Sequence, residues 1–250
     1  MPKISFLIAT FNRADKIGET IKSLLAQDDS SWEAIIVDNG SDNTREIVEN
    51  FHDSRLRYFY LSKVHGTGAS CARNFACMQA KSEIVAILDS DDLAYKNRVS
   101  ETLKFFDRDS TLDFFYSDFH IWYEKTGEIK DRNFPVYDYS FEKIKEINFI
   151  PHSTVAMRKQ VLLDNPYNQF FKIAEDYDLF TRLAIKNYKF ASSKEKLLKY
   201  RVAEDNISIG NKNLPLVSLY LKLVKMTRGW AEFDENILVQ IEKMEEGLND

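Results

Sequence analysis

Cysteine is scarce in this chain: two residues in 250, so a disulfide framework is excluded. Cys71 and Cys77 fall on one predicted helix, six positions apart, and face neither each other nor a shared ligand. A reducing compartment is the consequence. Long apolar runs are also missing, so no bilayer span is expected. Met1-Pro2-Lys3-Ile4 leads straight into a strand with no signal-peptide pattern. The expectation is a cytoplasmic protein, with room for peripheral attachment at the inner membrane face. Basic excess is lacking too: the net charge of −5 gives no global pull toward nucleic acid, and no nucleic-acid partner is expected. No Pro/Gly/Ser linker, repeat or low-complexity tract divides the chain. There is no Gly-Lys-Ser/Thr phosphate loop, no Ser-His-Asp spacing and no zinc-type cluster.

What is present is an ordinary globular composition, 44% hydrophobic and 29% charged, which argues against disorder as the main state. The first half alternates strand and helix patterns. Strands are predicted at 4–9, 32–37, 56–61 and 84–88, with helices at 15–26, 43–51 and 67–80 between them. Single helices between strands imply a parallel sheet built from right-handed crossovers. After Leu112 the pattern changes. A strand at 112–116, an extended excursion at 120–137 turned at Thr126-Gly127, a helix at 175–186 and a strand at 196–202 are expected. Two amphipathic helices, 216–228 and 235–248, follow and are linked through Gly229. The organisation expected is a catalytic unit at 1–213, with halves at 1–111 and 112–213, and a helical extension at 214–250.

Asp89-Ser90-Asp91-Asp92 follows the apolar run Glu83 to Leu88. Three carboxylates crowd the carboxyl end of a core strand, where open α/β sheets bind ligands. Like charges so close repel. Mg²⁺ or Mn²⁺, which take a few carboxylate oxygens and fill other positions with substrate phosphates, relieves that repulsion. The other motifs each carry two readings. Thr10-Phe11-Asn12-Arg13 is either a strand-to-helix turn or part of the ligand edge. Asp38-Asn39-Gly40-Ser41-Asp42 is either a turn with Asp42 as N-cap, or a place where Asp38 accepts from a base or ribose. Gly66-Thr67-Gly68 opens a helix bearing Arg73 and Asn74, suited to an anion or to nothing. His152, before a short strand, reads as structural. Glu175-Asp176-Tyr177-Asp178 suits a helix N-terminus by dipole alone, or supplies a general base. The sequence does not choose among its three carboxylates.

Taken together and in order, Thr-Phe-Asn-Arg, Val-Asp-Asn-Gly-Ser, Gly-x-x-x-Ala-Arg-Asn, Asp-Ser-Asp-Asp and Glu-Asp-Tyr-Asp resemble the family 2 inverting nucleotide-sugar glycosyltransferases, over roughly residues 3–208. The resemblance implies an α/β A-type glycosyltransferase fold: a mostly parallel central sheet flanked by helices, with the helical tail outside it. It also implies a nucleotide-sugar donor, UDP-linked, a saccharide or lipid-linked acceptor, and a place in surface polysaccharide synthesis. Nucleotide contacts are implied for Thr10, Phe11, Arg13, Asp38, Gly68, Arg73, Asp89 and Ser90. Asp91 with Asp89 would hold Mn²⁺ or Mg²⁺, Asp92 would assist, Asp176 would be the base and Glu175 would lie near the acceptor.

Two departures stand out. Asn39 replaces a common Asp, and Ala203, in Tyr200-Arg201-Val202-Ala203, replaces a His; Glu204 or Asp205 is the candidate substitute. Two rival readings are a sugar-phosphate nucleotidyltransferase, which wants a Gly-rich, Arg-containing loop after the first strand, and a non-catalytic nucleotide-sugar-binding relative. In the tail, Leu216, Leu219, Tyr220, Leu223 and Val224 form one stripe, and Ile237, Ile241, Met244 and Leu248 another. Packing on the catalytic unit, pairing with a second copy, and membrane contact through Lys222, Lys225 and Arg228 are the three uses weighed. The acidic second helix disfavours the membrane.

Overall fold

The computed structural model describes residues 1–62, 66–132, 136–203 and 214–246. Four strands open the fold: β1 (Ile4–Thr10), β2 (Trp32–Asp38), β3 (Leu56–Tyr60) and β4 (Ile84–Ile87). β1 pairs in parallel with both β2 and β4, and β2 with β3. Between them run α1 (Ile17–Leu25), α2 (Thr44–Glu49) and α3 (Ala69–Gln79). The near-continuous apolar character of β1 and β2 follows from this placement, because a parallel strand covered by helices is buried on both faces. Leu7, Ile35, Val37 and Ile87 face one core, and Phe6, Ile8, Ala34 and Ile36 the other.

Residues 93–111, which carry no predicted element, form β5 (Leu93–Ala94) and α4 (Arg98–Arg108). The expected strand at 112–116 and the start of the excursion are one strand, β6 (Phe114–Tyr123), which turns through Gly127 at φ 73° into β7 (Glu128–Asp131). α5 (Phe141–Glu146), a 3-10 turn (His152–Thr154), β8 (Ala156–Arg158) and α6 (Lys159–Asp164) follow. Then come α7 (Glu175–Ile185) and β9 (Phe190–Val202), which starts six residues before its predicted limit. The strand order is β3-β2-β1-β4-β8-β6-β9-β5, with β7 beside β6. β8 lies antiparallel to both β4 and β6 and joins the parallel half to the second half. The sheet is therefore mixed and covered by helices on both faces, an α/β arrangement.

The tail forms α8 (Leu214–Thr227) and α9 (Ile237–Glu246), turned through Gly229 at φ 69°. Leu216, Tyr220, Leu223, Val224, Ile237 and Ile241 are buried in the same core as Leu7 and Phe180. The basic stripe is engaged within the chain. Lys222 pairs with Asp234 at 2.7 Å, Lys225 donates to the Glu146 carbonyl at 2.6 Å, and Arg228 pairs with Asp178. Met244 is half-exposed, and Leu248 lies outside the described residues. No described helix is long and apolar enough to cross a membrane.

Candidate active site

The carboxyl ends of β1 and β4, the start of α7, and the β6–β9 pair converge on one cavity of about 760 Å³. Phe11, Arg13, Arg73, Asp89, Ser90, Asp91, Glu175 and Asp176 all line it. Thr10, Asp38 and Gly68 do not. Thr10 and Asp38 are register partners on β1 and β2, both buried. Asp38 is 2% exposed and both its oxygens are engaged: Oδ1 accepts the Gly40 N–H at 2.7 Å and Oδ2 the Tyr58 hydroxyl at 2.8 Å. Gly68 sits at φ 88° just before α3, a backbone region that favours glycine.

The loop after β2 is pinned to the loop after β1. The Ser41 N–H donates to Asn12 Oδ1 at 2.9 Å, and the Ala14 N–H to Asp42 Oδ2 at 2.8 Å. A Cβ on Gly40 would stand 2.6 Å from the Asn12 nitrogen, so this approach requires glycine. Asp42 also accepts the Thr44 N–H at 3.1 Å, but it is not the N-cap expected: Asn43, one residue on, holds that position and its side chain makes no capping hydrogen bond. Asn39, the first departure, has a structural use: its Nδ2 donates to the Leu61 carbonyl at 2.7 Å and ties down the end of the third strand segment.

Arg73 is the centre of the charge arrangement. Its Nη2 donates to Asp89 Oδ1 and its Nη1 to Glu175 Oε1, each at 2.8 Å. Burial alone would weaken its hold on the proton, but the two carboxylates outweigh that and keep the guanidinium charged. Asp89 is in turn held below the usual carboxylate range: burial pushes up, and Arg73 more than compensates. The Asp89 N–H donates to Ser153 Oγ at 3.0 Å. Asp91 moves the other way. Burial and then the Asp89 charge raise its pKa, although Arg13 Nε stands 3.6 Å away.

Asp92 has a different place from its neighbours. It is 0% exposed, does not line the cavity, and its Oδ1 accepts the Arg201 N–H at 2.9 Å. Arg201 Nε donates to the Asp91 carbonyl at 2.6 Å, and the same guanidinium pairs with Glu19 and Glu124. Asp92 and Arg201 thus fix the acidic loop against β9. Ala203, two residues on, carries no ligating atom in its side chain, and Glu204 and Asp205 lie outside the described residues.

On the opposite wall, Asp176 Oδ2 accepts from Asn148 Nδ2 at 3.0 Å, and Oδ1 from the Tyr177 N–H at 2.7 Å. Burial first, then the Glu175 charge, raise its pKa to about 6. Asp178 faces away from the cavity, where it pairs with Arg182 at 2.9 Å and with Arg228 of the tail. The preceding Ala174 is held left-handed at φ 61°, a strained conformation for alanine that turns the start of α7 into the cavity. His152 also lines the cavity; its Nε2 is 2.7 Å from the Tyr167 hydroxyl, and burial and then Arg73 drive its pKa down to about 3. Asn74 clamps Tyr167 through both backbone groups, at 2.9 Å each. Sequence patterns did not single out Asn148, Ser153, Tyr167 or Arg132. All are isolated polar residues whose neighbours come from distant segments.

The Asp-x-Asp pair implies a divalent cation, and the donor set fits one. Asp91 presents carboxylate oxygens to the cavity, with a proton affinity that an incoming cation would offset. Among the described residues no group of three or more His, Cys, Asp or Glu is placed to hold a metal. A hard ion bound through one or two carboxylates, with other oxygens from substrate and water, needs no larger set.

Residues 5–164 match the glycosyl transferase family 2 profile, and the chain belongs to that family. It is 29% identical over 227 residues to the uncharacterized glycosyltransferase MJ1057 of Methanocaldococcus jannaschii, covering 88% of this chain and 78% of that protein. It is 27% identical over 243 residues to the UDP-Glc:alpha-D-GlcNAc-diphosphoundecaprenol beta-1,3-glucosyltransferase WfgD of Escherichia coli, covering 95% of this chain and 89% of that protein. The fold matches that of the mannosyltransferase PcManGT from Pyrobaculum calidifontis, solved with GDP-Man and Mn²⁺. There the TM-score is 0.67 at 16% identity, over 98% of this chain and 69% of that one.

Proposed function

We propose that this glycosyltransferase moves a sugar, with inversion, from a nucleoside-diphosphate sugar to a hydroxyl of a saccharide or lipid-linked acceptor in surface polysaccharide synthesis. The observation that carries the reading is the pairing, in one cavity, of an acidic loop at the end of β4 with a carboxyl group at the start of α7 whose pKa is raised to about 6. Such a group is poised to take a proton near neutral pH. A UDP-linked donor is favoured by the similarity to WfgD, which uses UDP-Glc.

In this reading Asp176 removes the acceptor's hydroxyl proton as the oxygen attacks the anomeric carbon. The bond from that carbon to the diphosphate oxygen breaks, and the nucleoside diphosphate leaves with the electron pair. Arg73 holds Asp89 and Glu175 in place across the cavity, and Asn148 orients the Asp176 carboxylate. Asp91, with Asp89, would hold Mn²⁺ or Mg²⁺, which when bound supplies positive charge to the leaving diphosphate. An ordinary alcohol is a weak nucleophile, so positioning and charge stabilisation supply most of the rate. The unit at 1–213 would carry the reaction, with donor residues in its first half and the base in its second.

The test is a product assay with radiolabelled UDP- and GDP-sugars and an extracted lipid-linked acceptor pool. Transfer of the labelled sugar, with release of nucleoside diphosphate and an inverted anomeric centre by NMR, is expected. Formation of a nucleotide-sugar from a sugar phosphate and nucleoside triphosphate would identify a nucleotidyltransferase instead. Donor binding without turnover over any acceptor would identify a non-catalytic binder.

A further inference from the structure

Arg132, just past β7, lines the same cavity as Asp91 and Asp176 but has no part in the chemistry above. Its side chain is 12% exposed, and its guanidinium lies over the Phe119 ring, 5.1 Å from the centroid. Its carboxylate neighbour, Asp118, stands 3.8 Å from Nη1, beyond hydrogen-bond length. That Asp118 oxygen already accepts the Phe119 N–H at 2.9 Å. Nη1 is buried and, among the described residues, has no hydrogen-bond partner. Burial pushes the guanidinium below its ordinary value, and Asp118 restores only part of the loss.

A desolvated donor left without an acceptor is unfavourable, and more so when charged. The other cations around the cavity stand differently. Arg73 bridges Asp89 and Glu175, Lys172 is bound to Glu245 at 2.5 Å, and Arg13 stands beside Asp91. Arginine presents a planar fork of donors that matches a phosphate or carboxylate two oxygens at a time. The wall beside it is apolar. Phe119 and Ile121 of β6 lie in register with Leu198 and Tyr200 of β9, and the Phe119 and Tyr200 rings are 5.8 Å apart. An apolar wall with a charged fork at its edge suits a sugar ring that carries an oxyanion. The location is the acceptor side, because Arg132 comes from the second half of the chain, as do Asn148 and Asp176, whereas the acidic loop and Arg13 come from the first.

We propose that Arg132 binds an oxyanion, phosphate or carboxylate, carried by the acceptor close to the hydroxyl that Asp176 deprotonates. This rests on the transferase reading above and narrows its acceptor to an anionic saccharide or a sugar phosphodiester.

The test is calorimetric titration of the full chain, saturated with UDP and Mn²⁺, with phenyl phosphate, phenyl glucuronide and the neutral phenyl glucoside. At least one of the two anions should bind 10-fold or more tightly than the glucoside, and the tighter of the two identifies phosphate or carboxylate as the source. Arg132→Gln should erase the preference without changing UDP affinity. Arg132→Lys, which keeps the charge but loses the fork, should keep only part of it, and replaces the Gln variant if that one shows no cooperative melting. Equal binding of all three probes, or a preference that survives both substitutions, overturns the proposal. If UDP does not bind, the donor reading falls by itself; the same probes titrated without UDP still score Arg132.

Discussion

Asp91 and Asp176 bear the most direct tests at the scale of single residues. Asp91→Ala removes a carboxylate whose pKa is raised by burial and by the charge of Asp89, so folding should survive and a repulsion is relieved. Turnover should disappear, and calorimetry should show that Mn²⁺ no longer strengthens binding of the nucleoside diphosphate. Equal wild-type activity in chelator and in Mn²⁺ would remove the metal from the reaction. Asp176→Asn keeps the shape and one of the two accepting oxygens but cannot take a proton, so transfer should slow by about 10² or more with donor binding intact. In the wild type, kcat/KM should rise with pH through about 6 and then level, because the base is the ionised form. Stability has the opposite sign. A folded pKa raised above the unfolded value contributes stability that is complete below about 4 and is lost as pH rises through about 6. Relative to wild type, Asp176→Asn should therefore gain stability between pH 4 and pH 8, by an amount on the order of 2 kcal/mol in urea unfolding, on top of a pH-independent offset from the NH2 that replaces one of the two accepting oxygens. Normal transfer by this variant beside a dead Glu175→Gln would move the base to Glu175. The sequence offered three carboxylates at the start of α7 without a way to rank them. What separates them is helix phase against the rest of the molecule: Asp178 turns toward Arg182 and Arg228, and Glu175 and Asp176 toward the cavity.

Among the elements, the two tail helices answer the question their stripes raised. Leu216, Tyr220, Leu223, Val224, Ile237 and Ile241 bury their side chains in the core that covers one face of the sheet. Burial is worth about 1.5–3 kcal/mol for each large apolar side chain, so the gross contribution of six of them, before the entropy of ordering two helices is subtracted, is comparable with the whole net stability of a domain. Truncation after Asn213 should give a protein that aggregates or lacks a cooperative melting transition. A truncated chain with the melting temperature and oligomeric mass of the full one would show that the tail contributes nothing. β1, β2 and β4 were legible because strands buried on both faces are near-continuously apolar, and the half-buried edge strand β3 through its aromatic run Tyr58-Phe59-Tyr60. The elements that escaped are those whose patterns are short or broken. β5 has two residues, and α4 carries Val99, Leu103 and Phe106 at helical spacing but also buries Arg98, whose Nη2 donates to the Ile87 carbonyl. The early part of β9 is polar, Ser192 to Glu195, and pairs with β6 across a register shift.

For the whole molecule, the least legible feature is the contact that joins its two halves. Arg73 and Glu175 are 102 positions apart, and neither motif alone points to the other. The family resemblance implies a nucleotide contact for Arg73; in the structure its fork lies between the acidic loop and α7, 2.8 Å from each carboxylate. Removing the cation leaves Asp89, Asp91, Glu175 and Asp176 around one cavity without it. Breaking a buried pair from one side costs about 3–5 kcal/mol, mostly through the charge left behind. Arg73→Gln should therefore lower stability by about that amount at pH 8, measured by urea unfolding. In the wild type the depressed pKa of Asp89 contributes stability above its unfolded value that is lost as pH falls. Without Arg73 burial dominates, the folded pKa of Asp89 rises above the unfolded one, and the variant should regain stability as pH falls from 8 toward 5. Adding Glu175→Gln should restore part of the loss, with a coupling of about 1–3 kcal/mol, because one of the stranded charges is then gone. Strict additivity of the two substitutions, together with a stability profile parallel to wild type between pH 5 and 8, would show that Arg73 does not hold the two halves together by charge.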